Sequence, residues 1–86
     1  MVNNNIEIIQ INISGEDKPG LTSSLTEILA RHDAFILDIG QANIHRSLTL
    51  GILFMTTSER SGQIMKELLF KASEMNMSIR FEPITQ

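Results

Sequence analysis

The sequence predicts an α+β domain with the element order βαββαβ, and three observations predict it. Two segments alternate apolar and polar residues with the period of a strand. Two others repeat apolar residues at three- and four-residue spacing, as helices do. A short polar turn joins the middle two strands. At 86 residues the chain supports one core, because domains commonly run to about 100–150 residues. A single domain over residues 1–86 is expected.

The first strand is read over Ile6 to Ile13, where Ile9, Ile11 and Ile13 alternate with Gln10 and Asn12. Ile6 and Ile8 sit on the opposite parity, which leaves two readings: a start covered on both faces, or a bulge. The first helix is read over Pro19 to Arg31, with Leu21, Leu25, Ile28 and Leu29 in one apolar stripe. Asp17 is the candidate cap, and Pro19 suits a first turn because its missing N–H would be unpaired there. His32 and Asp33 end the helix.

The second strand is read over Phe35 to Ile44, with Phe35, Leu37 and Ile39 on one face and Ile36, Asp38 and Gly40 on the other. The third runs from Ser47 to Thr56, with Leu48, Leu50, Ile52 and Phe54 inward. His45, Arg46 and Ser47 form the turn between them, hence an antiparallel hairpin. The second helix is read over Ser58 to Met75, its apolar face made by Met65, Leu68, Ala72 and Met75, with Ser58 or Ser61 as cap. Ser78 to Ile84 closes the chain as a strand, with Ile79 and Phe81 inward. Right-handed β-α-β crossovers then give a four-stranded antiparallel sheet in the order 4-1-3-2 with both helices on one face, the ferredoxin-like arrangement.

Composition narrows the function. The chain is 42% apolar and 20% charged, ordinary for a globular protein and unlike a disordered tail. A net charge of −3 with scattered Lys and Arg argues against nucleic acid, whose phosphates call for clustered basic residues. No apolar run approaches the ~18 residues of a membrane span, and the start (Asn3, Asn4, Asn5) is polar, so a cytoplasmic protein is expected. The absence of cysteine removes disulfides, thiolate nucleophiles and cysteine-ligated metals. His32 and His45 stand apart with no second ligand at metal spacing and read as solvated surface residues. Ser14, Ser23 and Ser24 have no base in evident reach, which argues against a hydrolase triad.

The junction from Ile13 to Thr22 carries the most information. Asp17-Lys18-Pro19-Gly20 feeds a strand into a helix start, whose N–H groups lack intrahelical partners and suit a small anion. Glycine in a first helical turn costs up to ~1 kcal/mol relative to alanine. Either a ligand carboxylate approaches the N–H groups of Gly20 and Leu21, or the helix packs closely on the sheet.

On Asp17-Lys18-Pro19-Gly20-Leu21, the Leu25/Ile28/Leu29 helix and the apolar second strand, the chain resembles an ACT domain, a regulatory amino-acid-binding module. Ile36-Leu37-Asp38-Ile39-Gly40-Gln41-Ala42 makes it most similar to the amino-terminal region of bacterial phosphoserine phosphatases. The resemblance implies a non-catalytic regulatory domain that binds a small amino acid, serine or glycine, and works as a homodimer. It implies ligand contacts at Asp17, Lys18, Gly20 and Leu21, with Asp38 and Gln41 on a sheet edge. It also implies a magnesium-dependent catalytic domain elsewhere in a parent enzyme, since no two aspartates here stand two residues apart to make an aspartyl-phosphate loop. No metal or cofactor is expected for these residues themselves. ACT domains also serve glycine-cleavage and other amino-acid-responsive regulators. The same element order occurs in RNA-recognition modules, which need stacking aromatics that the first strand lacks. It occurs too in acylphosphatases, which need a basic loop where Glu16 and Asp17 stand.

Overall fold

The computed structural model describes residues 5–84, so the polar residues Asn3 and Asn4 lie outside the described residues. The elements are β1 (Ile6–Glu16), α1 (Leu21–Arg31), β2 (Phe35–Ile44), β3 (Ser47–Thr57), α2 (Ser58–Glu74) and β4 (Ser78–Ile84). The sheet order is β2-β3-β1-β4, all antiparallel. This is the βαββαβ ferredoxin-like arrangement that the alternation of apolar residues predicts.

Period-two alternation builds one side of the core. Ile9, Ile11 and Ile13 of β1 and Leu48, Leu50, Ile52 and Phe54 of β3 are all buried and face the helices. Against them lie Leu21, Leu25, Ile28 and Leu29 of α1 and Ile64, Leu68 and Ala72 of α2. Each such side chain contributes about 1.5–3 kcal/mol of transfer free energy before conformational entropy is set against it. The α2 stripe centres on Ile64, one residue before the expected Met65, and Met65 and Met75 flank it half-buried. Ile79 and Phe81 face inward as expected.

Neither reading of Ile6 and Ile8 holds. β1 pairs with β3 without interruption from Ile6↔Thr57 to Glu16↔Ser47, so there is no bulge in it. Ile6 is exposed and Ile8 half-buried on the helix-free face. There the register aligns Phe35, Met55, Ile8 and Ile84 in one apolar row across all four strands.

Among the described residues, the one register irregularity lies in β2. Between Ile36↔Phe54 and Asp38↔Leu53 the strand carries an extra residue, Leu37. The extra residue re-phases the strand. Phe35, Asp38, Gly40, Ala42 and Ile44 take the helix-free face with Met55 and Leu53, and Ile36, Ile39, Gln41 and Asn43 take the other. The expected grouping of Phe35, Leu37 and Ile39 is therefore corrected, with the bulge at Leu37.

Both helices stop in the same way. Asp33 (φ 58°) and Asn76 (φ 61°) are left-handed. Ala34 N–H donates to the Leu29 carbonyl at 2.9 Å and Asp33 N–H to Ala30 at 3.1 Å. Met77 and Asn76 repeat the pattern onto Ala72 and Ser73 at 2.8 and 3.1 Å. These are Schellman endings, which satisfy the last carbonyls of a helix. The β2–β3 turn is the two residues His45 and Arg46, closed by the Ile44↔Ser47 pair, with His45 at φ 61°.

Glu67 of α2 joins the two helices. It accepts from Arg31 Nη1 at 3.1 Å and Gln63 Nε2 at 3.2 Å, and its Oε2 lies 2.8 Å from His32 Nε2. The Gln63 hydrogen bond, then that of His32, then the charges of His32 and Arg31 hold its carboxyl below the usual glutamate range, while partial burial opposes them. The His32 side chain is only 20% exposed and tied to Glu67, which corrects its reading as a solvated residue.

Candidate functional site

The strand-to-helix junction folds as a turn that the sequence reading places one step too early. β1 continues to Glu16, and α1 opens at Leu21, after Pro19 and Gly20. The cap residue is Gly20, with φ 80° and ψ 2°, and no side chain caps the helix. Asp17 is therefore not the cap. A Cβ built on Gly20 would meet nothing within 4 Å, so close helix–sheet packing does not explain the glycine. Its left-handed backbone does, because an L side chain there crowds the following carbonyl. Leu21 N–H donates to the Lys18 carbonyl at 3.4 Å, and the corner itself is open to solvent.

Gly15, one residue before Glu16, is constrained differently. At φ +156° the backbone favours glycine, and a Cβ would stand 2.7 Å from the Met77 sulfur, so the buried Met77 side chain would have to shift to admit one.

Asp17 is held from two sides. Its N–H donates to the Arg46 carbonyl at 2.8 Å, which fastens the junction to the β2–β3 turn. Its Oδ2 accepts from Asn43 Nδ2 at 2.9 Å. Asn43 Oδ1 accepts from Gln41 Nε2 at 2.8 Å, and Gln41 Oε1 accepts from the Thr22 hydroxyl at 3.3 Å. A polar chain thus runs Thr22–Gln41–Asn43–Asp17, from the first turn of α1 along β2 and back to the junction. It gathers Asp17, Gly20, Leu21 and Gln41 at one corner, with Lys18 half-buried beside them. It also includes Asn43, which shares a face with Gln41 by strand periodicity, and this parity is the signal that finds it.

Asp38 is not part of this corner. It faces the helix-free side, where its Oδ1 accepts from Ile39 N–H at 2.9 Å. There it lines a hollow of about 230 Å³ with Gln10, Gly40 and Gly51. It stands three positions before Gln41, and an odd offset in a strand sends the side chains to opposite faces.

The corner offers an exposed carboxylate and uncapped helix N–H groups within one turn, which suits a ligand carrying both an ammonium and a carboxylate. Among the described residues no group of three His, Asp or Glu side chains is arranged to hold a metal ion. No helix there is long and apolar enough to cross a membrane.

Known proteins resemble this chain in sequence and in fold. Over 45 residues, 52% of this chain and 11% of the relative, the sequence is 44% identical to phosphoserine phosphatase SerB2 of Mycobacterium tuberculosis (strain ATCC 25618 / H37Rv). A structure ascribed to a glycine cleavage system transcriptional repressor superposes with a TM-score of 0.87 at 15% identity, over 94% of this chain and 47% of that one. An unknown protein from Galdieria sulphuraria gives 0.84 at 16% identity, over 99% and 53%. The chain thus spans about half of these solved chains and about a tenth of the curated relative. The family model for the ACT domain matches residues 7–82. With that match covering nearly the whole βαββαβ unit, the chain belongs to the ACT domain family.

Proposed function

We propose that this domain is the amino-acid-responsive regulatory part of a longer cytoplasmic protein, and that it works as a homodimer on serine or glycine. The observation that carries the reading is the Thr22–Gln41–Asn43–Asp17 chain, which couples an uncapped helix start to a strand at the edge of the sheet formed by the described residues. A ligand ammonium would meet Asp17, and its carboxylate the first-turn N–H groups after Gly20, with Lys18 and Leu21 alongside. Gln41 would register the ligand's presence on β2. A ligand that binds the paired state better than the open one shifts the equilibrium by that difference in affinity alone.

The 44% identity over 45 residues supports a parent enzyme of the phosphoserine phosphatase type, in L-serine biosynthesis, with magnesium serving its separate catalytic domain. The domain itself contributes no catalytic group. A second reading, an amino-acid-responsive transcriptional regulator, draws on the structural likeness to the glycine cleavage repressor. An Asp-x-Asp-x loop in the parent sequence favours the first reading, and its absence favours the second. Isothermal titration with serine, glycine and other amino acids tests binding. Heat and amide shifts at residues 17–22 and at Gln41 are expected. Silence with every amino acid would reduce the domain to an assembly surface.

A further inference from the structure

Resting on the amino-acid-binding reading, we infer that Thr22 makes the corner selective for a ligand whose side chain donates a hydrogen bond, a hydroxyl-bearing amino acid over glycine or alanine. The direction of the polar chain decides this.

A carboxylate only accepts hydrogen bonds. Facing Asp17, Asn43 therefore has to present its amide nitrogen, 2.9 Å from Oδ2. That turns the Asn43 oxygen along β2, where it too can only accept, and Gln41 meets it with Nε2 at 2.8 Å. The Gln41 oxygen is then left facing Thr22, 3.3 Å from Oγ1, so Thr22 has to donate. Each group fixes the orientation of the next, and the last proton committed is the one on the Thr22 hydroxyl. A hydroxyl has a single proton besides its lone pairs. With that proton held by Gln41, the Thr22 side chain offers a ligand an acceptor and no polar donor.

The other polar groups of the corner already have their work. The Ser23 hydroxyl donates back to the Gly20 carbonyl at 3.3 Å. Among the described residues nothing accepts from the backbone N–H groups of Thr22 and Ser23, and no side chain caps α1. These N–H groups, with Lys18 alongside, suit a carboxylate. Asp17 keeps its second oxygen, Oδ1, for an ammonium. What is left over is the oxygen of the half-buried Thr22, to which no group among the described residues donates. Glycine and alanine leave it unpaired, whereas a serine hydroxyl supplies the missing proton. A site that holds an acceptor for a ligand hydroxyl discriminates against the analogue lacking one. On a partly open corner a single such bond changes affinity about threefold to tenfold.

Isothermal titration of serine, alanine, glycine and O-methylserine into the protein is the test. Serine is expected to bind about threefold or more tighter than alanine. O-methylserine, which accepts but cannot donate, should bind no tighter than alanine. Thr22→Val keeps the shape and removes the acceptor, and should erase the difference between serine and alanine. Thr22→Ser should keep it. Gln41→Leu releases the Thr22 proton for donation, so O-methylserine should then gain about twofold or more relative to alanine. A cooperative melt above the titration temperature shows that each variant is folded. Equal affinity for serine and alanine, an undiminished difference in Thr22→Val, or no gain for O-methylserine in Gln41→Leu overturns the role of Thr22 and leaves the amino-acid-binding reading standing. Silence with all four ligands overturns both.

Discussion

Gly20 is the position at which backbone and space can be separated by substitution. Its φ of 80° and ψ of 2° lie in the left-handed region, and a Cβ there touches nothing within 4 Å. Alanine therefore loses no packing and pays only the conformational penalty, about 1–2 kcal/mol for an L side chain in that region. Part of this is offset by the smaller entropy of the unfolded chain, about 0.4–1 kcal/mol. A net loss of about 1 kcal/mol is expected for Gly20→Ala. For a domain of this size that corresponds to a Tm lower by roughly 4–8 °C. Asparagine tolerates the left-handed region better, so Gly20→Asn should lose less than half as much, despite being the larger residue. The assay is thermal and urea unfolding of the three proteins side by side. A loss that grows with side-chain volume, alanine less than asparagine, would refute the backbone argument and restore a packing role for the glycine. No loss with alanine would refute it equally.

Gly15→Ala should cost more, about 2 kcal/mol, because its Cβ would stand 2.7 Å from the Met77 sulfur. In a double-mutant cycle with Met77→Ala, the two losses should fall short of additivity by about 0.5–1 kcal/mol, and strict additivity would remove the clash from the account. Asn76→Gly should raise stability by about 0.5 kcal/mol, since residue 76 sits at φ 61° with its helix ending already hydrogen-bonded, and a lower Tm would contradict this. Glu67 is held ionised below its ordinary pKa of about 4.3 by Gln63, His32 and Arg31. A carboxyl with a lowered folded-state value stabilises above the unfolded value and loses that contribution as pH falls through the folded one. Glu67→Gln should therefore flatten the decline of the urea midpoint below about pH 4.5. An unchanged acid limb would show that the link between the helices is electrostatically idle.

The fold was legible because its signals are long. β3 alternates over Leu48, Leu50, Ile52 and Phe54, and α1 keeps its stripe through Leu21, Leu25, Ile28 and Leu29, so no local error moves an element. The misreadings fall where backbone conformation competes with pattern. Pro19 reads as a helix start, yet the left-handed Gly20 after it makes the helix begin at Leu21. Phe35 to Ile39 is apolar on four of five residues, which leaves no alternation to reveal that Leu37 is the extra one. The candidate corner was half legible. Asp17 and Gly20 stood out by residue type, whereas Asn43 becomes visible only when β2 is read by parity, and the same parity sends Asp38 to the far face.

One surplus residue in β2 sets which chemistry each side of the outer strand displays. Because Leu37 stands out of the ladder, the residues from Asp38 onward show the faces they do, the amides toward the junction and the carboxylate toward the opposite surface. Deleting that residue would join Ile36 opposite Phe54 directly to Asp38 opposite Leu53, and every other side chain of the strand would keep its face. Were Leu37 instead to take a place in the ladder, Asp38 would turn to the helical layer and Gln41 and Asn43 to the open face, and the junction would lose its amides.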